Sequence, residues 1–127
     1  MAEPSRLFQA GPDPFGRMWK VQFRWLQTGI SIRHADTVDV RFVLKDPEGN
    51  QTQKTIALPH ADLLRISREL GRNLDDSWCA RIAVLHLRHL VETGEDMEKN
   101  LVTVLPADLK RYATELGKME TAEVGSR

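Results

Sequence analysis

The chain has 127 residues, 41% of them apolar and 28% charged, which fits one globular domain with a modest core. Eighteen basic residues balance eighteen acidic ones, which argues against a protein that coats nucleic acid by bulk charge but leaves room for a local basic face. The lone cysteine, Cys79, excludes an intrachain disulfide and suits a reducing compartment.

The first residues lack the basic-then-apolar order of a signal peptide. The most apolar stretch, 82–91, is interrupted by His86, Arg88 and His89, and falls far short of the ~20 apolar residues that span a bilayer. The expectation is a cytoplasmic protein with no membrane partner.

Residues 1–16 carry Pro4, Gly11, Pro12, Pro14 and Gly16 and show no hydrophobic period, so they read as a flexible arm whose large groups are Phe8 and Phe15. From Met18, Trp19, Val21, Phe23 and Trp25 alternate with Lys20, Gln22 and Arg24, the period of a half-buried strand. The phase then slips onto Leu26, Ile30 and Ile32, which predicts a turn or bulge at Thr28-Gly29 and a short strand over Ile30–Arg33.

Thr37–Lys45 alternates again, with Val38, Val40, Phe42 and Leu44 on one face and Asp39, Arg41, Val43 and Lys45 on the other. Asp46-Pro47-Glu48-Gly49-Asn50 has the proline and glycine of a hairpin loop, and Gln51–Leu58 returns.

The second half reads as helical. Pro59 opens a helix that Gly71 closes. Asp75, Asp76 and Ser77 are capping residues before the longest helix, Trp78 to about Thr93, ended by Gly94. That helix is apolar on most sides and must be buried on more than one face. Leu101–Leu105 reads as a short strand, and Pro106 opens a last helix that Gly117 ends, leaving 119–127 as a frayed tail.

Residues 55–72 and 103–118 echo each other: a strand, then Pro, then Ala-Asp-Leu, Arg and Glu-Leu-Gly followed by a base. Two strand–Pro–helix units flanking a central helix would explain the echo, as would convergence on good helix starts and stops. The predicted fold is α+β, a two-layer sandwich with an N-terminal antiparallel sheet of three or four strands packed on the long central helix and two flanking helices. The domain is expected to span 17–118, with 101–105 as a further edge strand.

Three chemistries compete. His86, His89 and Glu92 lie three apart on the long helix and Cys79 seven before His86, so His86 and His89 are candidate metal ligands. Successive steps of three residues drift by ~60° around the helix, so the trio converges poorly. Cys79, in a first helical turn, is a candidate nucleophile through the helix dipole, or a small core residue. Arg33, His34, Asp36 and Asp39 cluster at a strand end, as an acid–base group or as a solvated turn. No glycine-rich phosphate loop or nucleophile elbow occurs, and no cofactor is expected.

Charge distribution gives the second reading. Between Arg17 and Lys45 six bases face two acids, and Lys20, Arg24, Arg41 and Lys45 fall on the polar faces of two strands. They form a candidate polyanion surface, though one whose strand aromatics point to the opposite, buried face. The acidic stretch Glu92, Glu95, Asp96 and Glu98 could answer it in a charged partner or a second copy.

The leading expectation is a non-enzymatic interaction module that self-associates as a homodimer through Trp78, Ile82, Leu85 and Leu87 of the over-apolar helix. Nucleic-acid binding through the basic strand face comes next, and a metal protein or small enzyme built on His86 and His89 third.

Overall fold

The structure is a computed structural model and describes residues 7–29 and 36–125. The expected strand over Ile30–Arg33, the residues Arg33 and His34, and the start of the N-terminal arm lie outside the described residues.

The chain is α+β. Four strands form an antiparallel meander: β1 (Leu7–Ala10), β2 (Trp19–Gly29), β3 (Thr37–Lys45) and β4 (Gln51–Pro59). Two helices follow, α1 (His60–Leu70) and α2 (Asp76–Thr93). The chain then returns as β5 (Leu101–Thr103), parallel to β4, and ends in α3 (Pro106–Gly125). The sheet therefore has five strands in sequence order, where three or four antiparallel ones were expected, with 101–105 a possible fifth.

The extra strand comes from the segment read as an arm. Leu7–Ala10 pairs with β2 from Leu7↔Gln22 to Ala10↔Trp19. Four residues are too few for a period to show in sequence, and the contacts that hold them are distant. Arg88 of α2 donates to the Gln9 carbonyl at 2.9 Å and lies over the Phe8 ring at 4.9 Å. Phe8 in turn meets Phe42 edge-on, with ring centroids 6.2 Å apart.

The β1–β2 connection is closed by one side chain. Asp13 accepts from the Phe15 and Arg17 amides, from Arg17 Nε and from Trp19 Nε1, all within 2.9–3.0 Å. Burial opposes its ionisation, yet these four donors hold the carboxyl well below the usual carboxylate range.

Local punctuation behaves as the residue types dictate. Asp46 accepts from the Asn50 amide at 2.9 Å in the β3–β4 hairpin, and Gly49 takes φ 92°. Asp75 caps α2 by accepting from the Trp78 amide at 2.8 Å, and Gly94 ends it in the left-handed region at φ 75°. Gly117 does not act as Gly71 does: α3 runs through it to Gly125. A helical glycine costs only about 1 kcal/mol relative to alanine, which the continuing backbone hydrogen bonds outweigh.

One face of the sheet carries the core. Trp19, Val21, Val38, Val40, Phe42, Leu44, Ile56, Leu58 and Val102 pack beneath the helices. α2 lies across four strands, and α3 rests on both α1 and α2, burying Leu109, Tyr112, Ala113 and Leu116. The strand–Pro–helix units of the echo thus become two parallel neighbours, β4 and β5, each leading into one of two touching helices.

This arrangement answers the burial demand of α2 inside one chain. Trp78, Ile82 and Leu87 are at most 1% exposed, and only Leu85 of the four expected interface residues is half-buried. The sheet covers one side of α2 and α3 the other. Most of the apolar surface that motivated a dimer through this helix is therefore covered within the chain.

Candidate nucleic-acid interface

Among the described residues no helix lies on the other sheet face. Cross-strand partners share a face, so the pairing places Lys20 beside Lys45, Gln22 beside Val43, Trp25 beside Arg41 and Gln27 beside Asp39. The face continues through Gln9 on β1 and through Gln51, Gln53 and Thr55 on β4.

The register shifts between Phe23 and Trp25, a bulge at Arg24 that lies earlier than the expected turn at Thr28-Gly29. Its consequence reaches the site. One extra residue flips every side chain after it, so Leu26 replaces Trp25 on the core face and Trp25 emerges on the open one. The expectation that the β2 aromatics all point inward holds for Trp19 and Phe23 and fails for Trp25.

Trp25 is half-buried, and Arg41 lies over its ring with the guanidinium carbon 5.0 Å from the centroid. Arg41 is fixed from the far side, donating from Nε to Thr55 Oγ1 at 3.0 Å and from Nη1 to Gln53 Oε1 at 2.8 Å. Both of these partners are neutral, and among the described residues no carboxylate is paired with the guanidinium.

Of the four expected polyanion residues, Lys20, Arg41 and Lys45 are thus brought together on one face, with Arg24 exposed at its bulge. Lys20 and Lys45 face each other directly and are both exposed, a like-charge pair that costs the sheet some stability until an anion relieves it. Asp39 is the carboxylate on this face among the described residues, and it accepts from Thr37 Oγ1 at 2.8 Å. Asp36, its companion in the expected acid–base cluster, is exposed and accepts through its backbone carbonyl from the His60 amide.

The metal candidates do not converge. Tyr112 places its hydroxyl 2.8 Å from His86 Nδ1, inside the α2–α3 contact, while His89 points outward to Glu95 at 3.2 Å. The two imidazoles stack with centroids 6.1 Å apart. Among the described residues no group of three or more His, Cys, Asp or Glu side chains is placed to hold an ion. Cys79 is buried, and burial together with Asp76 and Asp75 pushes its thiol up to about 12, the reverse of what a thiolate nucleophile needs.

His86 makes acid a threat to the fold. Burial pulls its pKa below 6.5, against the pull of the Asp108, Glu95 and Asp96 carboxylates and with that of His89. Arg111 donates to the Tyr112 oxygen at 3.2 Å, so the Tyr112 hydroxyl has its proton free for a neutral His86. Below pH 6.5 the unfolded chain takes up a proton that the folded one refuses. The stability that neutral His86 contributes is whole above that value and declines as pH falls, by at most about 1.4 kcal/mol per pH unit. Chemical unfolding of the wild type and of His86→Gln across this range should show a steeper acid decline in the wild type. Parallel curves would remove His86 as the cause.

A second polar cluster went unread in the sequence. Lys54 is fully buried on the core face, opposite Phe42. Its ammonium donates to the carbonyls of Asp96 at 2.8 Å, Met97 at 3.5 Å and Lys99. Burial pulls its pKa down, against the Asp96 and Glu98 carboxylates. Its phase with Ile56 and Leu58 in the β4 alternation was the available signal. Lys54 and Asp13 line a cavity of about 190 Å³ with Phe15, Trp19 and Met97. Every donor of Lys54 and both oxygens of Asp13 are committed to the chain itself, so neither charge faces a ligand.

No family model, no curated protein and no solved structure matches this chain. Among the described residues no helix is long and apolar enough to cross a membrane.

Proposed function

We propose that this protein is a binding module whose working surface is the open sheet face, and that its ligand is nucleic acid held through the phosphate backbone. The observation that carries this reading is the juxtaposition of Lys20, Lys45 and Arg41 on a face that, among the described residues, bears no helix and one carboxylate. Phosphates would take the place of the missing counter-charges.

The surrounding side chains suit such a ligand. Gln9, Gln22, Gln27 and Gln51 are all exposed, and each offers a donor and an acceptor that neither repel phosphate nor demand a fixed partner. Net neutrality of the whole chain confines the attraction to this face, so affinity should be modest and strongly salt-dependent. The self-associating module, expected first from sequence, loses its support once α2 is covered within the chain.

Fluorescence anisotropy with a labelled oligonucleotide tests the reading. If all four cations engage phosphates, affinity for a single strand should fall by roughly 50-fold between 50 and 200 mM salt, from a slope of about −0.7 per contact. Lys20→Glu combined with Lys45→Glu changes two exposed side chains and should abolish binding while leaving the fold intact. Unchanged affinity in that double variant would refute the reading, as would no affinity at low salt.

A further inference from the structure

We infer that the ligand of this face is single-stranded, and that a base of the strand stacks on the Trp25–Arg41 pair. The inference rests on the nucleic-acid reading above and specifies which form of nucleic acid the face takes.

Trp25 stands outside the core that holds the other two tryptophans. Trp19 and Trp78 are buried in the core at 9% and 1% exposure, whereas Trp25 is half-buried on the face opposite the helices, where no described apolar layer packs on it. The bulge at Arg24 puts it there, on β2 beside the central strand β3. An indole held on a polar, basic face is a stacking surface for a planar ring, and every base has one.

Arg41 completes the platform. Its guanidinium is delocalised and planar and lies against the indole, while Thr55 and Gln53 hold its Nε and Nη1. Those two bonds hold the guanidinium beside the indole, so binding costs less side-chain entropy than placing an unanchored arginine would.

Distance along the sheet supports a strand lying across it. Lys45 is four residues beyond Arg41 on β3, about 14 Å at strand rise, and Lys20 is its partner. A strand with its base on Trp25 can therefore carry its phosphates onward to the lysine pair. The exposed amides of Gln22, Gln27, Gln51 and Gln53 flank that path and can meet base edges that a duplex keeps paired. A duplex presents phosphate to the lysines but no free ring to Trp25.

The test is a titration of intrinsic tryptophan emission with three probes: a short oligo(dT) strand, a duplex containing the same sequence, and heparin. Trp25 is the exposed-side indole, so its emission should be quenched by the single strand, which should bind at least tenfold more tightly than the duplex. Trp25→Ala should weaken single-strand binding by about tenfold or more and leave heparin binding unchanged. Trp25→Phe keeps a ring on the face and should retain most of the affinity while losing the quench, which separates stacking from a general disturbance of the sheet. Equal affinity for all three probes without quenching would overturn the stacking inference and leave the phosphate reading standing. Failure of all three to bind would overturn both.

Discussion

Replacing Lys54 with methionine is expected to destabilise the protein by about 3 kcal/mol, although methionine fits the stem of the side chain and removes a desolvated charge. The ammonium is the common partner of three backbone carbonyls in the segment between α2 and β5. Without it those acceptors lose a charge-assisted bond. The crossover from α2 to the parallel strand would loosen at the same time, because the Asn100 carbonyl in that segment accepts from the Thr55 amide at 2.7 Å. Urea unfolding would give the stability change, and amide exchange over residues 94–103 should accelerate. Stability equal to or above that of the wild type would mean that water satisfies the three carbonyls and that Lys54 is not what holds the crossover.

Trp78→Ala should cost about 3–5 kcal/mol and lower the unfolding temperature by roughly 10–20 °C. Trp78 is 1% exposed and is among the largest fully buried side chains; Arg72 lies over its ring at 5.3 Å. Its indole N–H has no hydrogen-bond partner among the described residues, so the loss is one of packing. The same experiment separates a core residue from an interface residue. The unfolding temperatures of wild type and variant should be independent of protein concentration. A midpoint that falls on dilution would mean that α2 is covered by a second copy.

Most elements were legible because their signals are local. Period two in Val38, Val40, Phe42 and Leu44 defines β3 wherever it is placed, since alternation of side chains is a property of an extended backbone. Asp46 and Gly49 define the hairpin, and Asp75 and Gly94 the ends of α2, because each acts on backbone groups within a few residues. The three cations Lys20, Arg41 and Lys45 were assigned to one surface by phase alone, and strand pairing places them there.

What was not legible depended on partners far away in the chain. β1 is a strand because Arg88 and Phe42 hold Gln9 and Phe8, and nothing within four residues announces that. The slip of phase after Trp25 was visible, but its position was not. A bulge at Thr28-Gly29 and one at Arg24 leave nearly the same alternation, and only the register against β3 chooses between them. That choice decides whether Trp25 is core or surface, and with it whether the basic face has a stacking platform.

The sequence by itself determined the α+β class, the meander of strands, the helix ends and the location of positive charge, because backbone propensity and side-chain phase act over a few residues. The tertiary structure alone decided that α2 is covered within one chain, that Lys54 is buried on three carbonyls and that Trp25 joins Arg41 on the open face. Each of these is a contact between residues sixteen or more positions apart in the chain. Local preference carries no information about such pairs; packing does.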